Sequence, residues 1–72
     1  MTPYGNKQGN SGVTAYETGD GYIKVRFTDS RIYTYTIATA GKTNISKMHT
    51  LARAGKGLST YISQHVKDRY EH

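Results

Sequence analysis

The chain has no cysteine, no tryptophan, a single proline, and no acidic residue between Asp29 and Asp68. Without cysteine there is neither a disulfide framework nor a thiolate metal site to staple its 72 residues. A chain this short forms one domain and buries roughly 60% of the surface its unfolded form exposes, so hydrophobic packing must hold it alone or with the help of self-association. No apolar run approaches the length of a membrane span, and the N-terminus lacks the apolar segment of a secretory signal. A soluble, cytoplasmic protein with no membrane partner is therefore expected. In the absence of tryptophan, seven tyrosines and one phenylalanine supply the aromatic burial, and each tyrosine hydroxyl needs a partner or water.

The missing acids leave the middle of the chain purely cationic. Arg31, Lys42, Lys47, Arg53, Lys56 and Lys67 fall in the gap, while Glu17, Asp20 and Asp29 lie early and Asp68 and Glu71 at the end. The net charge is +5 and the pI about 9.6. Charge separated in this way draws polyanions before any specific contact forms, which points toward nucleic acid.

Met1 to Gly12 is a run of Gly, Asn, Gln and Ser around one Pro, too polar to offset its ordering entropy, and reads as a flexible N-terminal arm. Residues 13–70 form the domain. Val13–Glu17 and Tyr22–Thr28 alternate as strands, separated by the loop Thr18–Gly21, and Arg31–Ile37 returns as a third, rich in β-branched and aromatic residues. Connections this short make the three strands antiparallel neighbours. A loop over Thr39–Thr43 leads to a helix capped by Thr43 or Asn44 and running to about Ala54, with Ile45, Met48, Leu51 and Ala52 on one stripe. Gly55 suits its end, and a second helix starts near Leu58, placing Tyr61, Ile62, His65 and Val66 on its apolar face. The expected fold is α+β: a three-stranded antiparallel β-meander followed by two α-helices packed on one face.

Two registers are open for the second hairpin. A two-residue loop at Asp29-Ser30 turns Tyr33 and Tyr35 toward Lys24 and Arg26, as an exposed aromatic-basic platform. A three-residue loop, Thr28 to Ser30, puts both tyrosines on the Ile23/Val25/Phe27 face and leaves Tyr22, Lys24, Arg26, Ile32, Thr34 and Thr36 outside. The second is favoured, because it gathers large rings where helices must pack and exposes threonines.

The strand face bearing Tyr22, Lys24 and Arg26 is the leading binding surface, since phosphates need cations along a rigid element and bases need a π-face nearby. Its bland alternative is the solvated side of an antiparallel sheet. Lys47 and Arg53 extend the charge along the first helix. Lys56 sits in Ala54-Gly55-Lys56-Gly57, where free N–H groups at a helix start can hold a phosphate. That segment is not a P-loop, because Thr50 replaces the first required glycine and Gly57 stands where Ser or Thr should follow the lysine. His49 and His65 have no cysteine or suitably spaced carboxylate to make a metal site, and no nearby acid in sequence to make a triad. His65 reads as a packed, hydrogen-bonded residue. No catalytic residue, metal or cofactor is expected.

The stretch VRFTDSRIYTY, with Tyr33-Thr34-Tyr35 after a strand and a tight turn, followed by LARAGKGLSTYISQHVKDRY, resembles a KTSC domain over Gly12 to Tyr70. This small module occurs at the C-terminus of some lysyl-tRNA synthetases and as short free-standing bacterial proteins. Ser30 departs from the glycine usual in that turn, and the second helix runs longer around Thr60, as in the free-standing branch. The resemblance implies the same α+β fold and, through the company of a synthetase, RNA binding. The expected function is a non-catalytic module that binds RNA or single-stranded nucleic acid. A protein-interaction module or homodimer, joined through the edge strand Val13–Glu17, is the alternative.

Overall fold

The computed structural model describes residues 1–5 and 12–71. Strands β1 (Thr2–Pro3), β2 (Val13–Gly19), β3 (Tyr22–Phe27) and β4 (Ile32–Thr36) form one antiparallel sheet in the order β1-β2-β3-β4. Three helices follow, α1 (Ile37–Ala40), α2 (Lys42–Ala54) and α3 (Leu58–Tyr61), the last running into a π-helical turn at Ile62–Val66. The α+β meander expected from sequence is present, with one strand and one helix more than expected.

The β3–β4 hairpin takes the three-residue loop. The Phe27 amide donates to the Arg31 carbonyl and the Ser30 amide donates to the Phe27 carbonyl, both at 2.9 Å. Ser30 sits at φ 69°, the left-handed conformation with which such loops close. Ile23 therefore pairs with Tyr35 and Val25 with Tyr33, so both tyrosines share the apolar face. Tyr35 is 1% exposed, and its burial pushes the phenol pKa up to about 12, so the ring stays neutral at ordinary pH.

All the helices pack on that face. Ile23, Val25 and Tyr35 from the sheet meet Ile45, Met48 and Ala52 from α2, Leu58 from α3, and Ile62 and Val66 from the π turn. The helix ends differ from expectation. Thr36 and Thr39 make a reciprocal capping box that starts α1 inside the segment expected as strand end and loop. The α2 helix begins at Lys42 behind Gly41, and Asn44 acts from within it, donating to the Ala40 carbonyl and accepting from the Tyr61 hydroxyl. In the π turn Val66 faces the core, while His65 is exposed and stacks on Tyr61 at 4.4 Å. The wider i→i+5 turn rotates His65 off the apolar stripe, so it is not the packed residue its spacing implied.

Strand β2 carries a bulge between Val13 and Ala15. The extra residue brings Tyr16 opposite Val25 on the core face and leaves Ala15 opposite Arg26 on the other face.

Part of the N-terminal segment belongs to the fold. Thr2 and Pro3 pair with Tyr16 and Ala15, and the Tyr4 amide donates to Thr14. Tyr4 is 6% exposed, packs edge-on to Tyr16 at 6.5 Å, and accepts a hydrogen bond from the Leu58 amide at 3.2 Å. Gly5 and Gly55 make this docking possible, because their backbones touch and a Cβ on Gly55 would lie 3.1 Å from the Gly5 Cα. The remainder of the expected arm, residues 6–11, lies outside the described residues. At the other terminus the Glu71 amide donates to the Thr34 carbonyl at 2.7 Å, and the Tyr70 ring lies 4.5 Å from Tyr33 and 6.2 Å from Tyr35.

Replacing Ser30 with glycine removes the left-handed penalty of a Cβ and is expected to stabilise the domain by about 1 kcal/mol, net of the glycine's extra chain entropy. The urea midpoint should rise at unchanged m-value. A midpoint that stays put or falls would show that Ser30 is not strained.

Candidate nucleic-acid interface

The register that buries Tyr33 and Tyr35 also decides what faces away from the helices. Tyr22, Lys24 and Arg26 of β3 lie beside Thr36, Thr34 and Ile32 of β4 and Gly19, Glu17 and Ala15 of β2. Lys24 is half-buried, Arg26 exposed, and Ile32 is 53% exposed. Lys24 and Arg26 stand two residues apart on one strand, about 7 Å along its axis, with threonine hydroxyls on the neighbouring strand. Chemically this is a face of cations beside the Thr34 hydroxyl, groups that hold phosphate oxygens, while the Thr36 hydroxyl is taken up by the cap of α1.

Tyr22 has a more specific setting than sequence indicated. Its ring lies directly over Gly19, its cross-strand partner, where any Cβ would overlap the ring atoms. Its hydroxyl donates to the Glu17 carboxylate at 3.2 Å. The phenol pKa is raised, first by that hydrogen bond and then by the carboxylate's charge, because ionisation would set two anions side by side. One side of the ring is thus occupied by β2. Glu17, directly opposite Lys24, also offsets part of the cationic field on this face.

The remaining expected residues are not brought to this face. Lys47 and Arg53 lie exposed on α2, in the layer on the other side of the sheet. They stand about 120° apart around the helix axis, so they do not form a single stripe. Lys56 lies in the turn between Gly55 at φ 76° and Gly57 at φ 80°. The helix it precedes is only Leu58–Tyr61, and the Leu58 amide already donates to Tyr4. The free N–H groups expected to cradle a phosphate are therefore partly spent on the core.

The histidines are engaged locally. His49 Nε2 lies 2.7 Å from the Tyr22 carbonyl oxygen, tying α2 to the start of β3, and His65 stacks on Tyr61. Among the described residues no three His, Asp or Glu side chains converge to hold a metal ion, and no helix is long and apolar enough to cross a membrane.

A concave feature lies on the core-facing side of the sheet, at the opposite end of the β3–β4 hairpin from Tyr22. Gly12, Phe27, Thr28, Asp29 and Tyr33 line an open cleft of about 360 Å³. Sequence reasoning passed over it because Gly12 belongs to a low-complexity run and is brought to the hairpin by tertiary contact, the Thr28 amide donating to its carbonyl.

Replacing Glu17 with glutamine is expected to lower the Tyr22 pKa toward the ordinary tyrosine value, since the neutral amide no longer opposes a phenolate. NMR titration of the tyrosine ring carbons reads it, and an unmoved Tyr22 would contradict the Glu17 contact. Comparison of this chain with protein-family models, curated proteins and solved structures yields no match.

Proposed function

We propose that this protein is a non-catalytic module that binds RNA or single-stranded nucleic acid through the outer face of its sheet. The observation that carries the reading is the placement of Lys24 and Arg26 on a central strand, with Thr34 opposite Lys24, on the face that the helices leave uncovered. Backbone phosphates are held by such cations and hydroxyls, and the acid-free middle of the chain adds long-range attraction. Tyr22 borders the site and orders its β2 side through Glu17. Lys47, Arg53 and Lys56 contribute to the general field from the other layer rather than to the same contact surface.

The KTSC-like reading of Gly12 to Tyr70 belongs to the same proposal. It draws on the order of strand, tight turn, Tyr33-Thr34-Tyr35 and helices. The competing reading, a protein partner or second copy joined at the edge of Val13–Glu17, has less to draw on. Thr2, Pro3 and Tyr4 already occupy that edge over Thr14–Tyr16.

Binding is expected to be weak and to fall steeply with salt. Substituting Lys24 and Arg26 together with glutamine should reduce the slope of log K against log salt by about 1.4, the value for two single-strand phosphate contacts. The Lys47→Gln/Arg53→Gln variant should keep most of the slope. Equal slopes for the wild type and the Lys24/Arg26 variant would remove the sheet face from the site.

A further inference from the structure

The cleft at the β3–β4 turn has walls and charges suited to a flat, neutral ring. Phe27 and Tyr33 stand 5.4 Å apart with their planes at 68°. Both are only half-buried, although they share a sheet face with the buried Ile23, Val25 and Tyr35. Tyr33 is backed by the Tyr70 ring at 4.5 Å, and its hydroxyl lies against the Arg31 guanidinium. The ring is therefore held on two sides before anything binds, so a ligand that stacks on it loses little to ordering.

Charge sorts which part of a ligand enters. Among the described residues that line the cleft, Asp29 is the one that is ionised. Its Oδ1 accepts from the Arg31 amide at 3.2 Å and its Oδ2 lies 3.4 Å from Arg31 Nε. A carboxylate in the wall repels phosphate but has lone pairs left to accept from an amino group. Arg31, on the rim, offers phosphate its place outside. Arg31 stands opposite Phe27, on the same side of the sheet as the cleft, whereas Lys24 and Arg26 lie on the other side, so a strand held by those two reaches the cleft by passing round the hairpin end. At about 360 Å³ the open cleft is near the lower end of small-ligand pockets and large enough for one base.

We infer that this cleft is a subsite for one unpaired nucleobase, stacked on one of the Phe27 and Tyr33 rings and edge-on to the other, with its exocyclic amino group turned to Asp29 and its phosphate held at Arg31. The inference rests on the proposed nucleic-acid reading and moves the base contact from Tyr22, whose ring is committed to Gly19 and Glu17, to the far end of the hairpin. Cytosine, adenine and guanine satisfy the requirement for an amino group, and uracil does not.

The test measures binding of three ten-unit ligands of equal charge at one low salt concentration: oligocytidylate, oligouridylate and an abasic ribose-phosphate chain. Ring-proton NMR of Phe27 and Tyr33 accompanies each titration. Oligocytidylate should bind roughly tenfold more tightly than the abasic chain, toward the low end of base–aromatic stacking, and should shift both rings. Tyr33→Leu should bring oligocytidylate down to the abasic level. Asp29→Asn, an exposed change that leaves the aromatic packing in place, should narrow the cytidylate-to-uridylate ratio whether or not Tyr33→Leu folds. Equal binding of oligocytidylate and the abasic chain with silent rings would overturn the cleft while leaving the sheet-face reading intact. Failure of all three ligands to bind would overturn that reading, and the cleft with it.

Discussion

The exchange of hydrogen bonds between Phe27 and the residues that close its turn, Ser30 and Arg31, sets the arrangement of every other side chain on the sheet. With three residues in the loop, Tyr33 and Tyr35 fall beside Val25 and Ile23. One residue fewer would carry both rings to the opposite side and leave α2 facing threonines. Ser30 accepts a left-handed backbone to close the loop. Burial of Tyr35 and docking of Tyr33 against Tyr70 recover that cost, so a strained serine and an aromatic core are two ends of one arrangement.

A small sheet must also deal with its edges. Thr2 and Pro3 pair with part of β2, and Tyr4 follows them into the core to meet Leu58. At the far side Glu71 bonds to the β4 carbonyl of Thr34, while Tyr70 covers Tyr33 and Tyr35. Both ends of the chain thus close a strand edge and add a tyrosine to the packing. For a domain without disulfides this enlarges the core and limits strand-to-strand association together.

Much of this was legible in sequence. The alternation of Tyr22–Thr28 gave the central strand and its two faces, and the need to pack large rings under helices selected the register. Ile45, Met48 and Ala52 lie inward as their spacing required. What was hidden depends on tertiary partners. Tyr4 is a lone aromatic in a polar run, with no periodic neighbours to mark it, and its burial relies on the Gly5–Gly55 contact. The β2 bulge, which sets Tyr16 opposite Val25, and the π turn, which takes His65 off the apolar stripe, each break the period on which sequence reasoning depends. At the site, Lys24 and Arg26 faced outward as alternation implied. The capture of Tyr22 by Glu17 required the cross-strand pairing, and the separation of Lys47, Arg53 and Lys56 required knowing which face the helices cover.

These features give the domain two unlike sides: a core of aliphatic and tyrosine side chains sealed by helices, and an open sheet face whose positive charge comes from β3. The central claim is that polyanions meet the second. The most direct measurement is a two-dimensional amide NMR titration of labelled protein with short single-stranded RNA at low and moderate salt. The account predicts shifts at Lys24 to Arg26 and Thr34 to Thr36 that weaken as salt is added, with little change along the exposed side of α2. Shifts centred on α2, or an unperturbed spectrum at low salt, would contradict it.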